Sequence, residues 1–134
     1  MRMQYALAAF MLLVLLLTGC TSQNATQTQT SEKSVAVNIT IFDGEGEQTL
    51  LREIEPGGSA LEALMQVAEV DYKQYPFGAY VFGINGLREN TRNSGKYWQY
   101  YVNGKIAMVA MDRFKIRSDT DLEFRYEKQN PQIR

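Results

Sequence analysis

The residue best placed for covalent chemistry is Cys20, the only cysteine of the sequence, which ends the motif Leu17-Thr18-Gly19-Cys20. Arg2 stands near the start of the chain, and an apolar run of twelve residues, Ala6 to Leu17, leads into the motif. A positive end, a short hydrophobic stretch and small residues before a cut are typical of an export signal. The apolar run is too short to span a bilayer, which takes roughly 20 residues. We therefore predict that residues 1–19 are removed and that Cys20 carries a lipid, with acyl chains such as palmitate. That lipid would hold the protein on the extracytoplasmic face of the cell membrane.

Two simpler interpretations of this N-terminus are a plain transmembrane anchor and a secreted protein that is cleaved elsewhere. Neither explains why the only cysteine stands where lipid transfer requires it. Residues 20–34 are then the lipidated cysteine and a polar linker, because Thr21 to Ser34 contain no aromatic or large aliphatic residue to offset the entropy of ordering. A lone thiol cannot form an internal disulfide, so the exported domain must be stabilised by its core.

Few residues are suited to catalysis or metal binding. The sequence has no histidine, the commonest general base, and a lipid on Cys20 leaves no free thiol. Asp119 and Asp121 are better explained by a hairpin turn than by an acid/base pair or a calcium site. We therefore predict no enzyme activity, no cofactor and no metal site.

The charge balance argues against a nucleic-acid partner. Loss of Arg2 with the signal leaves 13 of the 14 basic residues, against 15 acidic ones. Nucleic-acid binding requires a basic surface that neutralises phosphates. The near-neutral surface also leaves the lipid as the membrane anchor, since an electrostatic contribution would need clustered basic residues.

The pattern of apolar residues predicts one compact domain over residues 35–128 and a short tail over residues 129–134. Apolar residues that alternate with polar ones predict the strands Val35–Ile41, Gln48–Ile54, Ala79–Ile84, Tyr97–Val102, Arg113–Ile116 and Leu122–Tyr126. Two Asn-Gly pairs, Asn85-Gly86 and Asn103-Gly104, mark tight turns. We expect the last two strands to form a hairpin across residues 118–121, with their outward charges paired across the strands.

One helix is predicted after the second strand. Ser59 and Glu62 form a capping box, in which each side chain satisfies a free backbone N–H at the start of a helix. The helix should run to about Glu69. Its apolar stripe consists of Leu61, Leu64, Met65 and Ala68. Two strands, a helix and then further strands predict an α+β fold, a β-grasp-like mixed sheet with one helix packed across it.

Three stretches of the sequence carry a family resemblance. They are Phe77–Gly86 (FGAYVFGING), Tyr97–Lys105 (YWQYYVNGK) and Asp119–Phe124 (DTDLEF). Together with the helix entry Gly58–Leu64, these stretches resemble the transcobalamin-like C-terminal domain family, a domain of unknown function, over nearly all of residues 35–126. The resemblance implies a β-grasp-type fold. By analogy with the eukaryotic cobalamin carriers, it also implies a corrinoid or another flat molecule as the ligand.

The aromatic strand and the loop before it supply the predicted binding residues. One face of the strand carries Trp98, Tyr100 and Val102, and the other carries Tyr97, Gln99 and Tyr101. We assign Trp98 to the core. The exposed rings suit stacking against a flat ligand, and the loop 87–96 would place cations beside them. The predicted binding residues are Tyr80, Tyr97, Tyr101, Arg88, Arg92 and Lys96. The alternative is that these rings only cover the sheet and that the loop is only solvated.

Two functions are compatible with these residues. The first is a membrane-tethered, non-catalytic module outside the cytoplasm that binds a small flat ligand such as a corrinoid. The second is an adhesion or scaffolding module that binds a protein or a polysaccharide at the cell envelope. A pocket lined by aromatic rings would favour the first function, and a flat exposed strand edge or patch of rings would favour the second.

The lipid attachment can be tested with the substitution Cys20→Ser. Because a hydroxyl cannot replace the thiol as lipid acceptor, we expect this variant to accumulate as an unprocessed precursor of higher mass without acyl chains. Mass spectrometry of the membrane fraction measures both properties. A variant that is cut and lipidated like the wild type would contradict the prediction.

Overall fold

The computed structural model describes residues 33–129, and the predicted signal peptide, Cys20 and most of the linker and tail lie outside them. The elements are β1 (Val35–Phe42), β2 (Glu47–Ile54), α1 (Ala60–Met65), β3 (Val70–Tyr75), β4 (Gly78–Ile84), β5 (Leu87–Arg88), β6 (Lys96–Val102), β7 (Lys105–Ile106) and β8 (Thr120–Lys128). Strands with one helix confirm the predicted α+β class. Within the described residues, none of the helical structure is long and apolar enough to cross a membrane.

The main sheet has five strands in the order β2-β1-β8-β6-β7. β1 pairs with β8 in parallel, and the other neighbours are antiparallel. Ile39 lies opposite Leu122, and Tyr100 lies opposite Phe124, so that apolar residues from successive strands share one face. This face forms the core, and Phe124, Ile39, Leu64, Ile84, Ile116, Leu122 and Val37 are its largest fully buried side chains.

The remaining strands form a separate three-stranded sheet in the order β3-β4-β5. The predicted mixed sheet is thus the main sheet alone, and the predicted strand Ala79–Ile84 belongs to the second sheet. β3 was not predicted, because its side chains are mostly exposed and show no clear apolar alternation. The Asn-Gly turns are confirmed, since Asn85 and Asn103 both adopt φ of +49° before their glycines.

The helix begins as predicted, with both hydrogen bonds of the Ser59–Glu62 capping box present. The backbone N–H of Ser59 bonds the Glu62 carboxylate and lowers its pKa. The predicted end at Glu69 is wrong, because α1 stops at Met65. The backbone of Glu69 is instead paired with Asn85 at the end of β4, a tertiary contact that no helical pattern reveals. Met65 is accordingly exposed rather than part of a buried stripe.

The predicted strand Arg113–Ile116 and its hairpin are also wrong. The segment 107–116 crosses the start of the helix, where Phe114 and Met111 accept the N–H groups of Ala60 and Leu61 at 3.1 and 3.2 Å. The first N–H groups of a helix have no partner within it, so an irregular segment that offers carbonyls there is favoured over a strand. The outward charges of β8 pair along the strand, Arg125 with Glu123, and not with residues 113–117.

Truncation of Leu64 tests the placement of the helix. Because Leu64 is fully buried, Leu64→Ala should lower the free energy of unfolding by about 2–5 kcal/mol. The matched control is Met65→Ala, whose side chain is exposed and whose loss should cost about 0.5 kcal/mol or less. Urea denaturation of both variants provides the comparison, and equal midpoints would show that the helix faces the core differently.

Candidate ligand-binding cleft

The assignment of the two faces of β6 is confirmed. Trp98 and Tyr100 are buried in the core, and Tyr97 and Tyr101 point to the opposite face. The Tyr101 hydroxyl donates to Glu127, and the Arg125 guanidinium lies 5.0 Å from the centre of the ring. Burial, followed by the hydrogen bond to Glu127, raises the pKa of Tyr101 to about 12. One face of this ring is therefore covered by Arg125.

The three predicted cations lie at separate places. Arg88 pairs with Asp71 at 3.0 Å and stacks over the ring of Phe82. The Lys96 ammonium lies 5.7 Å from the ring centre of Tyr126. Arg92 is exposed in the short 3-10 turn Thr91–Asn93 with φ of +55°. The six predicted residues do not surround one common space, and their role in binding stays a prediction.

Tyr80 is the predicted binding residue that belongs to a larger aromatic group. Tyr75 and Phe77 stack with ring centres 5.1 Å apart, and Tyr80 meets Tyr75 edge-on at 6.5 Å. We call Tyr75, Phe77 and Tyr80 the aromatic rim. The Tyr80 hydroxyl donates to Glu89, and burial together with this bond raises the pKa of Tyr80. The ring positions are therefore held by contacts within the protein.

The aromatic rim borders an apolar cleft between β4 and β6, with a volume of about 320 Å³. The cleft is lined by Phe77, Ala79, Tyr80, Val81, Trp98, Tyr100, Ala107, Met108, Val109, Ala110 and Met111. Its mouth is unusually apolar for a protein surface, because Phe77 is 67% exposed and Met108 is 77% exposed. Clustered exposed apolar side chains commonly mark a binding surface.

The polar atoms on the cleft floor are already satisfied. Trp98 Nε1 donates to the Leu87 carbonyl at 2.8 Å, and the Tyr100 hydroxyl donates to the Val109 carbonyl. Burial, with the Asp112 charge as a smaller cause, raises the pKa of Tyr100 to about 12. A ligand in the cleft would thus meet ring faces and aliphatic groups rather than charges. Over residues 33–129, no group of three or more His, Cys, Asp or Glu residues is arranged to hold a metal ion.

One carboxylate joins the two walls of the cleft. Asp112 accepts the Ala79 N–H at 2.8 Å and the Gln74 amide at 3.2 Å. The Ala79 bond is the main cause of a lowered pKa for Asp112. Gly78 lies against the same segment with φ of +128°, and a Cβ there would stand 2.4 Å from the Ala110 Cβ. The close approach requires glycine at this position.

Sequence reasoning missed three mouth residues, Phe77, Met108 and Val109. The signal that could have found the last two is the run Ile106–Met111, six consecutive apolar residues in a segment that has no strand alternation. A contiguous apolar run of this kind is commonly buried or part of a binding surface. Phe77 gave a weaker signal, as one ring among many between residues 72 and 82.

Comparison with known proteins identifies the family. Residues 57–128 match the family described as domain of unknown function DUF4430, and the chain belongs to this family. The predicted transcobalamin-like resemblance is confirmed by this match together with the structural neighbours below. Among curated protein sequences, none matches the chain significantly.

Two solved structures share the fold. One is a protein of Ruminococcus gnavus ATCC 29149, named as a candidate metal-binding protein, with a TM-score of 0.63 and 12% identity over 72% of this chain and 99% of that chain. The other is haptocorrin in complex with Cbi, with a TM-score of 0.66 and 18% identity over 74% of this chain. The chain corresponds to 26% of the haptocorrin chain.

The close approach at Gly78 can be tested by adding a methyl group. Gly78→Ala should destabilise the domain by about 1–3 kcal/mol more than Gly86→Ala, because only the first Cβ overlaps its neighbours. Gly86 is the matched control, since it also has a positive φ but meets nothing within 4 Å. Thermal and urea denaturation measure the difference, and equal losses would show that the cleft wall yields freely.

Proposed function

We propose that this protein is a binding module, tethered through lipidated Cys20 to the extracytoplasmic face of the cell membrane, which takes a small flat ligand in the apolar cleft. The observation that carries the proposal is the pairing of that cleft with the aromatic rim. Ligand pockets are usually concave and mostly apolar, with volumes of about 300–1,000 Å³. The cleft, at about 320 Å³, lies at the lower end of this range.

The volume limits how a ligand is held. A single ring system fits within the cleft, whereas a macrocycle such as a corrinoid enters by one edge and rests its remaining surface on the aromatic rim. Phe77 offers the largest exposed ring there, and the stacked Tyr75 fixes its orientation. Rings already held in place lose little freedom on binding, which favours affinity.

The chemistry of the lining residues supports a non-catalytic role. The side chains around the cleft are apolar apart from those of Tyr80, Tyr100 and Trp98. Both tyrosine hydroxyls are engaged in hydrogen bonds, and both pKa values are raised, so neither hydroxyl is poised to act as a base near neutral pH. Haptocorrin, solved with a bound corrinoid, shares the fold and supports the choice of ligand class.

A second candidate function is adhesion through the open face of the main sheet. Tyr97, Gln99 and Tyr101 share this face of β6, and Asn38 and Thr40 extend it on β1. Planar amides, hydroxyls and one free ring would suit a polysaccharide or a protein. The partial cover of Tyr101 by Arg125 makes this face the weaker candidate.

The test begins with the full-length protein, extracted from membranes in mild detergent. Ultraviolet-visible absorbance and mass spectrometry of this preparation report any ligand that accompanies it. Cobinamide is then added in a fluorescence titration that follows Trp98, whose ring lines the cleft. We expect saturable quenching, because a bound corrinoid would lie beside this ring.

Four single substitutions locate the binding site, two in the cleft and two outside it. Phe77→Ala and Met108→Ala should each weaken cobinamide binding about tenfold, equivalent to about 1.4 kcal/mol. Met65→Ala is the matched control for Met108→Ala, because both methionines are exposed and only Met108 borders the cleft. Loss of binding in Tyr101→Ala with no effect of the cleft variants would move the site to the sheet face. Absence of any binding or co-purified ligand would reject the proposed function.

A further inference from the structure

A second cavity lies between two turns of the domain. One turn joins β1 to β2 and includes Asp43 and Gly46, and the other joins β4 to β5 and includes Asn85. The cavity has a volume of about 290 Å³. It shares only Trp98 with the apolar cleft, so the two spaces are separate.

The floor of this second cavity is apolar. Ile41, Ile84 and Trp98 line it, and all three are buried. Trp98 Nε1 is already bonded to the Leu87 carbonyl. Because this N–H is the only polar group of an indole, Trp98 offers the cavity its ring alone. A ligand must therefore present an apolar surface to the floor.

The first turn provides a carboxylate in a fixed position. Asp43 Oδ1 accepts the N–H groups of Gly46 and Glu45 at 2.7 and 2.8 Å, which leaves Oδ2 available. These two bonds also lower the pKa of Asp43, so that it is ionised at neutral pH. An acceptor that the protein already holds in place loses little freedom on binding.

The second turn and the start of β2 add amide groups and another carboxylate. Asn85 Oδ1 accepts the Glu69 N–H at 3.0 Å, and both donors of the Asn85 amide nitrogen stay available. Glu47 and Gln48 line the cavity with exposed side chains. The walls therefore contain hydrogen-bond donors as well as acceptors.

This mixture of groups discriminates between classes of ligand. Each hydroxyl group both donates and accepts hydrogen bonds, so hydroxyls can use the amides and the carboxylates together. An organic cation would use the carboxylates but would leave the amide donors unmatched. The Lys96 ammonium also stands 3.1 Å from the position that a Cβ of Gly44 would occupy, so a cation is already present at the first turn. A neutral ligand with several hydroxyl groups is favoured.

We infer that this cavity binds one pyranose unit of a neutral sugar, either free or at the end of a glycan. A pyranose combines an apolar face of C–H groups with hydroxyls around its edge, which matches the apolar floor and the polar walls. The cavity lies just below the usual range for ligand pockets, about 300–1,000 Å³, so it admits a single ring. The inference goes beyond the proposed function, because both the cavity and the ligand differ.

Saturation-transfer NMR on the full-length protein tests the inference. The protein is kept in a detergent without a sugar headgroup, and the probes are the methyl glycosides of glucose, galactose, mannose and N-acetylglucosamine. We expect saturable transfer to at least one probe, strongest at the C–H protons that face Trp98. Tighter binding of the corresponding trisaccharide would identify a glycan as the source, and equal binding would identify a free sugar. Phenethylammonium serves as the cationic probe.

Substitutions in the wall locate the sugar. Glu47→Ala and Gln48→Ala should each weaken binding about three- to tenfold, the effect of losing about one hydrogen bond. Glu53→Ala and Gln66→Ala are the matched controls, because both residues are exposed and lie outside the cavity. Glu47→Gln keeps an acceptor and removes the charge, so it should bind the sugar more tightly than Glu47→Ala. Thermal melting should be the same for all these exposed positions.

The inference is overturned if no glycoside binds, or if the two wall variants bind the sugar as their controls do. Binding of phenethylammonium without any sugar, lost in Glu47→Gln, would overturn it by identifying a cation site. Phe77→Ala should leave sugar binding unchanged, because Phe77 borders only the apolar cleft. The sugar site and the proposed cobinamide site can thus fail independently.

Discussion

The hydrogen bond from the Ala79 N–H to the Asp112 carboxylate ties the second sheet to the segment 107–116, and the wall of the cleft depends on this contact. β4 and β6 share no backbone ladder, so their separation is set by what bridges them. The segment 107–116 provides one bridge, because its Met111 and Phe114 carbonyls also accept the first N–H groups of the helix. The bond from Trp98 Nε1 on β6 to the Leu87 carbonyl on β5 provides another. A charged acceptor makes a stronger bond than a neutral one. These bonds hold the two walls of the cleft together at its floor and at one side.

The parts of the fold that sequence predicts are those with local causes. β1, β2, β4, β6 and β8 follow from short-range alternation, and the capping box needs only Ser59 and Glu62. The end of the helix and the course of residues 113–116 do not follow, because each is decided by a partner far along the chain. Glu69 bonds to Asn85, and Phe114 bonds to Ala60. Periodicity contains no information on such pairs.

The part of the cleft that comes from one local stretch of sequence was predictable, and the part formed by a distant segment was not. Tyr80 belongs to the aromatic cluster that the sequence displays, and it does border the cleft. The opposite wall comes from Met108 and Val109, about thirty positions later, and only folding brings these residues to Phe77. Alternation on β6 does predict that Tyr97 and Tyr101 lie on the face opposite Trp98, but it does not show that the cleft opens on the Trp98 side. The sequence can thus assign these rings to a face of their strand, but it cannot tell which face borders a cleft.

The parallel pairing of β1 with β8 has a consequence for the order of folding. β8 is the middle strand of the main sheet, and the contact between Ala36 and Asp119 closes a separation of 83 residues. Such long-range contacts slow folding, since the entropy of loop closure must be overcome before burial compensates for it. During synthesis, which starts at the N-terminus, the β1–β2 hairpin can form early. The middle strand is missing until residues 120–128 have been synthesised. The domain therefore remains open through most of its synthesis and closes in a late step.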